Sequence, residues 1–82
     1  MNNGDLYVTP NGQHRLIIGR TSDGDIAFAT RGKDPTPDYN HCQIQSSETF
    51  AAEGAFEKAV APTELTRVQQ MFANYIAKRG IK

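Results

Sequence analysis

Two turn dipeptides constrain the first half of the chain. Asn11-Gly12 and Asp23-Gly24 each interrupt a stretch of strand-forming sequence. Such pairs are favoured in two-residue β-hairpin loops, where both central positions need φ > 0. Their flanks are Leu6-Tyr7-Val8-Thr9, Arg15-Leu16-Ile17-Ile18 and Ile26-Ala27-Phe28-Ala29-Thr30, rich in residues that fit a pleated surface. The sequence therefore predicts an antiparallel meander with strands near residues 5–10, 13–21 and 25–31. Residues 32–40 contain Pro35, Pro37, Asp34 and Asp38 and read as a loop, because proline cannot donate to a ladder. His41-Cys42-Gln43-Ile44-Gln45 reads as a short fourth strand with Cys42 and Ile44 facing one way.

Beyond Ser46 the apolar spacing becomes helical. A helix over 49–60 would place Ala51, Ala52, Ala55, Phe56, Ala59 and Val60 on one side, with Glu53, Glu57 and Lys58 opposite. Gly54 at its centre costs about 1 kcal/mol relative to alanine, and Pro62 ends the pattern. A second helix is expected from Thr63, as N-cap, to Gly80, a C-terminal stop. Leu65, Val68, Met71, Phe72, Tyr75 and Ile76 fall on one face of it. The expected fold class is α+β: a three- or four-stranded meander packed on a C-terminal helix, with a second shorter helix, in one small domain over 1–82.

Two-residue loops dictate a register. Leu6 would pair with Ile17, Val8 with Arg15, Gly19 with Phe28, and Thr21 with Ile26. One face would carry Leu6, Val8, Ile17, Ile26 and Phe28 beneath the C-terminal helix. The other would carry Tyr7, Leu16, Ile18, Ala27 and Ala29, edged by His14, Arg20 and Arg31. That second face is too apolar for plain solvent exposure. It is either covered by the 49–60 helix or open to a partner. Tyr7, His14, Leu16, Ile18, Arg20 and Arg31 thus form the candidate interaction surface.

Composition narrows the function classes. The chain has 82 residues, with nine Lys+Arg against nine Asp+Glu, which suits neither a two-domain enzyme nor a strongly basic DNA-binding protein. The middle of the chain is acidic and the end basic. These poles could attract each other within the fold or pair with a second copy. No apolar run approaches membrane-spanning length, and the first residues lack the pattern of a secretory signal. Cys42 is the sole cysteine, so stability must come from packing without a disulfide, and a reducing cytoplasm is the expected location. His14, His41 and Cys42 are too few and too scattered for a zinc site; no metal and no cofactor is expected. No nucleophile–base pair or phosphate-binding loop stands out, so no enzymatic activity is expected.

Ile18-Gly19-Arg20 with Asp25-Ile26, followed by His41, resembles the opening of the forkhead-associated phosphopeptide-binding domain. The resemblance implies a phosphate contact for Arg20. It stops there, because Tyr39-Asn40 stand where that family has Ser-Arg, and a helical C-terminal half does not suit an all-β sandwich. The leading expectation is a non-catalytic protein-interaction module that binds a protein partner or itself. The alternative is a nucleic-acid-binding module using Tyr7, Arg20 and Arg31.

Overall fold

A computed structural model describes residues 1–82. The elements run β1 (Asp5–Val8), β2 (His14–Arg20), β3 (Ile26–Arg31), β4 (His41–Gln45), α1 (Ser47–Glu53), β5 (Ala55–Ala59), α2 (Pro62–Met71) and α3 (Ala73–Arg79). The five strands form one antiparallel sheet in the order β4-β3-β2-β1-β5. The fold is α+β, with five strands where three or four are expected from sequence.

Both hairpin loops have three residues, and their chemistry is the same. In the first, Gly12 N–H donates to the Thr9 carbonyl at 2.9 Å and Gln13 N–H to Thr9 Oγ1 at 3.0 Å. In the second, Gly24 N–H donates to the Thr21 carbonyl at 3.0 Å and Asp25 N–H to Thr21 Oγ1 at 3.1 Å. Gly12 and Gly24 sit at φ 91° and 87°, the left-handed position that closes a three-residue loop.

The extra loop residue shifts the register by one, and side chains alternate faces with period two. Leu6 therefore faces Leu16, not Ile17, and Val8 faces His14, not Arg15. Leu6 and Leu16 lie on the same side of the sheet, correcting the expected face assignment. The second hairpin carries the same loop shift plus a bulge at Ile18, between the pairs Ile17–Phe28 and Gly19–Ala27. The two one-residue shifts add to two along most of that hairpin, which returns each side chain to the face expected from the two-residue loop. Leu16, Ile18, Ala27 and Ala29 accordingly share a face, and Ile17, Ile26 and Phe28 share the other.

The helices α2 and α3 cover the face opposite to the one expected from the two-residue register. Leu6, Leu16, Ile18, Ala27 and Ala29 cluster with Tyr39, Val68 and Ile81, flanked by Cys42, Ile44, Phe72, Tyr75 and Ile76. Ala27, Ala29 and Gly19 keep this face low, so helix and tail side chains approach closely. A Cβ on Gly19 would lie 2.4 Å from Ile81 Cγ2 and 3.2 Å from the Lys82 backbone. Lys82 N–H donates to the Arg20 carbonyl at 2.8 Å and the Lys82 carbonyl accepts from Arg20 N–H. The Arg20 guanidinium also donates to the Met1 carbonyl at 2.8 Å.

The other face is closed by α1. Ser46 caps this helix, its hydroxyl accepting from Thr49 N–H. Phe50, fully buried, packs 5.0 Å from the Phe28 ring and 4.8 Å edge-on from Tyr7. Both faces of the meander are thus covered from within the chain.

The expected 49–60 helix is corrected to a helix, a break and a strand. Gly54 is extended (φ −146°, ψ 162°), and a Cβ there would meet the Val8 carbonyl oxygen at 3.3 Å. The chain leaves α1 against β1 and runs on as β5, pairing Asp5 with Ala59 and Val8 with Ala55. Alanine, glutamate and lysine favour helix intrinsically, but ladder pairing outweighs so weak a preference. The C-terminal helix is also divided. Pro62 begins α2 at its first turn with Ala61 as N-cap, in place of Thr63, where its missing N–H costs nothing. At Phe72 (φ −114°, ψ 30°) the helical backbone is interrupted. Val68 before the interruption, and Phe72, Tyr75 and Ile76 at and after it, all pack on one cluster. Gly80 ends α3 in the left-handed conformation at φ 62°, as the sequence predicts.

Phe50→Ala is expected to cost about 3–5 kcal/mol, close to the whole stability of so small a fold; urea unfolding would measure it. Gly19→Ala is expected to cost about 1–3 kcal/mol by overpacking. Combining it with Ile81→Ala should cost less than the sum of the two single changes, read from the same unfolding curves.

Candidate functional site

The six residues expected to form one surface are dispersed. Leu16 and Ile18 are buried, at 0% and 1% exposure, beneath α2, α3 and Ile81. Tyr7 lies on the opposite face, beside Phe50 and Phe56. Arg31 stacks its guanidinium 4.4 Å from the centre of the Tyr39 ring. His14 donates from Nδ1–H to the Gly32 carbonyl at 3.0 Å. Arg20 is occupied by the Met1 and Gly24 carbonyls. The aromatic and basic groups of the nucleic-acid reading therefore do not converge.

The acidic middle and basic end do meet within the fold. Arg67 donates to Asp38 at 2.6 Å and to Glu64 at 2.8 Å. These bonds hold both carboxyls below the ordinary carboxylate range. They also fix the loop that delivers Tyr39 into the core. On the α1 side, Arg15 bonds Glu53 at 2.8 Å, and Glu53 in turn accepts from the Gln45 amide at 3.0 Å.

What remains open to a partner is the rim of the sheet. Its two edges differ. On β5 the pairing jumps from Leu6–Lys58 to Tyr7–Phe56, leaving Glu57 as a bulge. Glu57 and Lys58 add two charges to a strand exposed along its whole length. A bulge and charges on an edge deter further strand pairing. Phe56 is the most exposed large apolar residue, at 56%.

The β4 edge has none of these devices. Its register against β3 is unbroken from Thr30–His41 to Ile26–Gln45. It contains no proline and no acidic, lysine or arginine residue. At its start, Asn40 N–H donates to the Thr30 carbonyl at 3.0 Å, so Thr30 points its backbone groups toward β4. Alternation along an antiparallel ladder then turns the N–H and C=O groups of Cys42 and Ile44 outward, away from β3. The Cys42 and Ile44 side chains pack on the α2–α3 side of the sheet, while His41 and Gln43 are exposed.

Cys42 is half-buried, and burial pushes its thiol up to about 11, against a smaller downward pull from Arg79. The fold favours the neutral thiol. This contribution to stability is complete below the ordinary thiol pKa and is lost as pH rises toward about 11. A neutral thiol is a poor nucleophile. His14, His41 and Cys42 do not converge, and no group of three or more His, Cys, Asp or Glu side chains is placed to hold a metal ion. A shallow apolar cleft of about 360 Å³ lies between α2, α3 and the last residues, bordered by Ile18, Gln69, Ala73, Ile76 and Ile81. No helix is long and apolar enough to cross a membrane.

Sequence reasoning finds β4 but misses β5 and the contrast between the two edges. No strand alternation marks Ala55–Ala59; the available signal was Gly54 and Pro62 bracketing a segment too short for a stable isolated helix. Compared with family models, curated proteins and solved structures, the chain matches none.

At pH 8, Cys42 is expected to react with iodoacetamide roughly 100-fold more slowly than an unhindered cysteine, from the thiolate fraction alone. The rate should climb as pH approaches 11. A rate equal to that of free cysteine at pH 8 would contradict the burial described here.

Proposed function

We propose that this protein is a non-catalytic interaction module that takes up an extended polypeptide segment as a sixth strand beside β4. The observation that carries this reading is the contrast between the two rims. One is bulged and charged, while the other is regular, uncharged and turns the Cys42 and Ile44 backbone groups outward. Strand addition draws affinity from main-chain hydrogen bonds and selectivity from alternate side chains. Along β4 those alternate positions are apolar on the helix-covered side and polar on the other. The occupant should therefore alternate small apolar with uncharged polar residues. A cytoplasmic setting belongs to the same proposal and rests on the single cysteine. No specific observation favours the nucleic-acid alternative.

Titration of the isotope-labelled protein with six-residue peptides alternating valine with threonine or glutamine tests the reading. The amide signals of Cys42 and Ile44 are expected to shift first and furthest. Shifts confined to the α2–α3 cleft or to β5, or no shifts at all in the monomeric protein up to about 1 mM peptide, would reject it. Adding salt should change the binding little, because no phosphate-type charge contact is involved.

A further inference from the structure

Resting on that reading, the identity of the occupant can be taken further. We infer that the segment received by β4 is β4 of a second copy of the chain, paired antiparallel about a two-fold axis at Gln43. A two-fold axis perpendicular to an antiparallel pair must place one residue opposite its own copy. For the five residues of β4, only the register centred on Gln43 uses the full length of both strands. Cys42 then faces Ile44 of the second copy, and His41 faces Gln45 of the second copy.

This register satisfies the chemistry on both sides of the sheet. Cys42 and Ile44 lie on the side covered by α2 and α3, where they flank the larger core cluster. Opposing one another across the axis, they continue that apolar layer from one copy to the next. On the other side the meeting residues are glutamine with glutamine and histidine with glutamine, all able to donate and accept. No like charges are opposed. Gln45 is already held by Glu53 and His41 by the Asn40 side chain at 2.8 Å, so two of these positions are ordered before pairing and lose less freedom on docking.

The backbone phase agrees as well. Cys42 and Ile44 turn their N–H and C=O groups outward. In this register each Cys42 N–H meets the carbonyl of the opposing Ile44, and each Ile44 N–H meets the carbonyl of the opposing Cys42. Gln43 falls at a non-hydrogen-bonded pair, where facing side chains come closest. The same operation on β5 would place the Glu57 bulge and its charge at or beside the axis, which explains why only one rim serves.

Sedimentation equilibrium of the full chain tests the inference. The wild-type mass is expected to rise with concentration toward twice the monomer value. Gln43→Lys and Gln43→Glu should each weaken association about five-fold or more at low salt, since like charges then face each other. Gln43 is exposed, so neither change disturbs the monomer. An equimolar mixture of the two variants should restore association, because lysine then faces glutamate. A wild-type protein that stays monomeric up to about 1 mM overturns the self-pairing. So does equal association of wild type and both single variants. If the protein is monomeric while the alternating peptides still shift Cys42 and Ile44, the second copy is excluded and strand docking stands. If neither occurs, both fail.

Discussion

The structure depends on where two threonines stand relative to two glycines. Thr9 and Gly12, and Thr21 and Gly24, build the same three-residue loop, with the threonine carbonyl and hydroxyl accepting successive backbone N–H groups. The loop length decides which residues of adjacent strands face each other, and hence which side of the sheet each side chain occupies. Everything above that level follows. Leu6 joins Leu16 and Ile18 because of the first loop. Low-lying Ala27 and Ala29 then create the floor on which Val68 and Ile81 sit. Tyr7 is sent to the other face, where it closes an aromatic group with Phe28 and Phe50.

Much of this was legible in the residues, and the errors have definite causes. The three meander strands, β4 and the Gly80 stop are visible in turn chemistry and periodicity. A two-residue loop displaces β1 by one step, which would exchange the faces of Leu6 and Tyr7. The same error on the second hairpin was hidden, because the Ile18 bulge adds a second residue and restores the alternation. Thr9 and Thr21 were the missed signal, since each stands three residues before its glycine. The segment Ala55–Ala59 is written in helix-forming residues, and only the approach of Gly54 to the Val8 carbonyl and the ladder with β1 make it a strand.

The candidate site was legible only in part. His41–Gln45 could be recognised as a strand, but its position at the rim is a property of sheet order. Sheet order depends on β5 adding to β1 at the far side. The surface expected from sequence dissolved because Leu16 and Ile18 were needed for the core. Arg20, Arg31 and His14 were likewise taken up by carbonyls and by the Tyr39 ring. Two polar clusters, Arg67 with Asp38 and Glu64 and Arg15 with Glu53 and Gln45, tether the flanking segments on either side of β4. They leave the outward backbone of that strand unobstructed.

Arg20 has a consequence of a different kind. Its side chain holds the Met1 carbonyl, and its own backbone groups hold Lys82. Met1 and Lys82 are therefore fastened at one point, the end of the central strand β2. Closing so large a loop has an entropic cost that local hairpins avoid, and burial of Ile81 in the larger core cluster offsets it. Fraying at Arg20 would loosen Ile81 from Gly19 while leaving the Thr9 and Thr21 loop hydrogen bonds untouched.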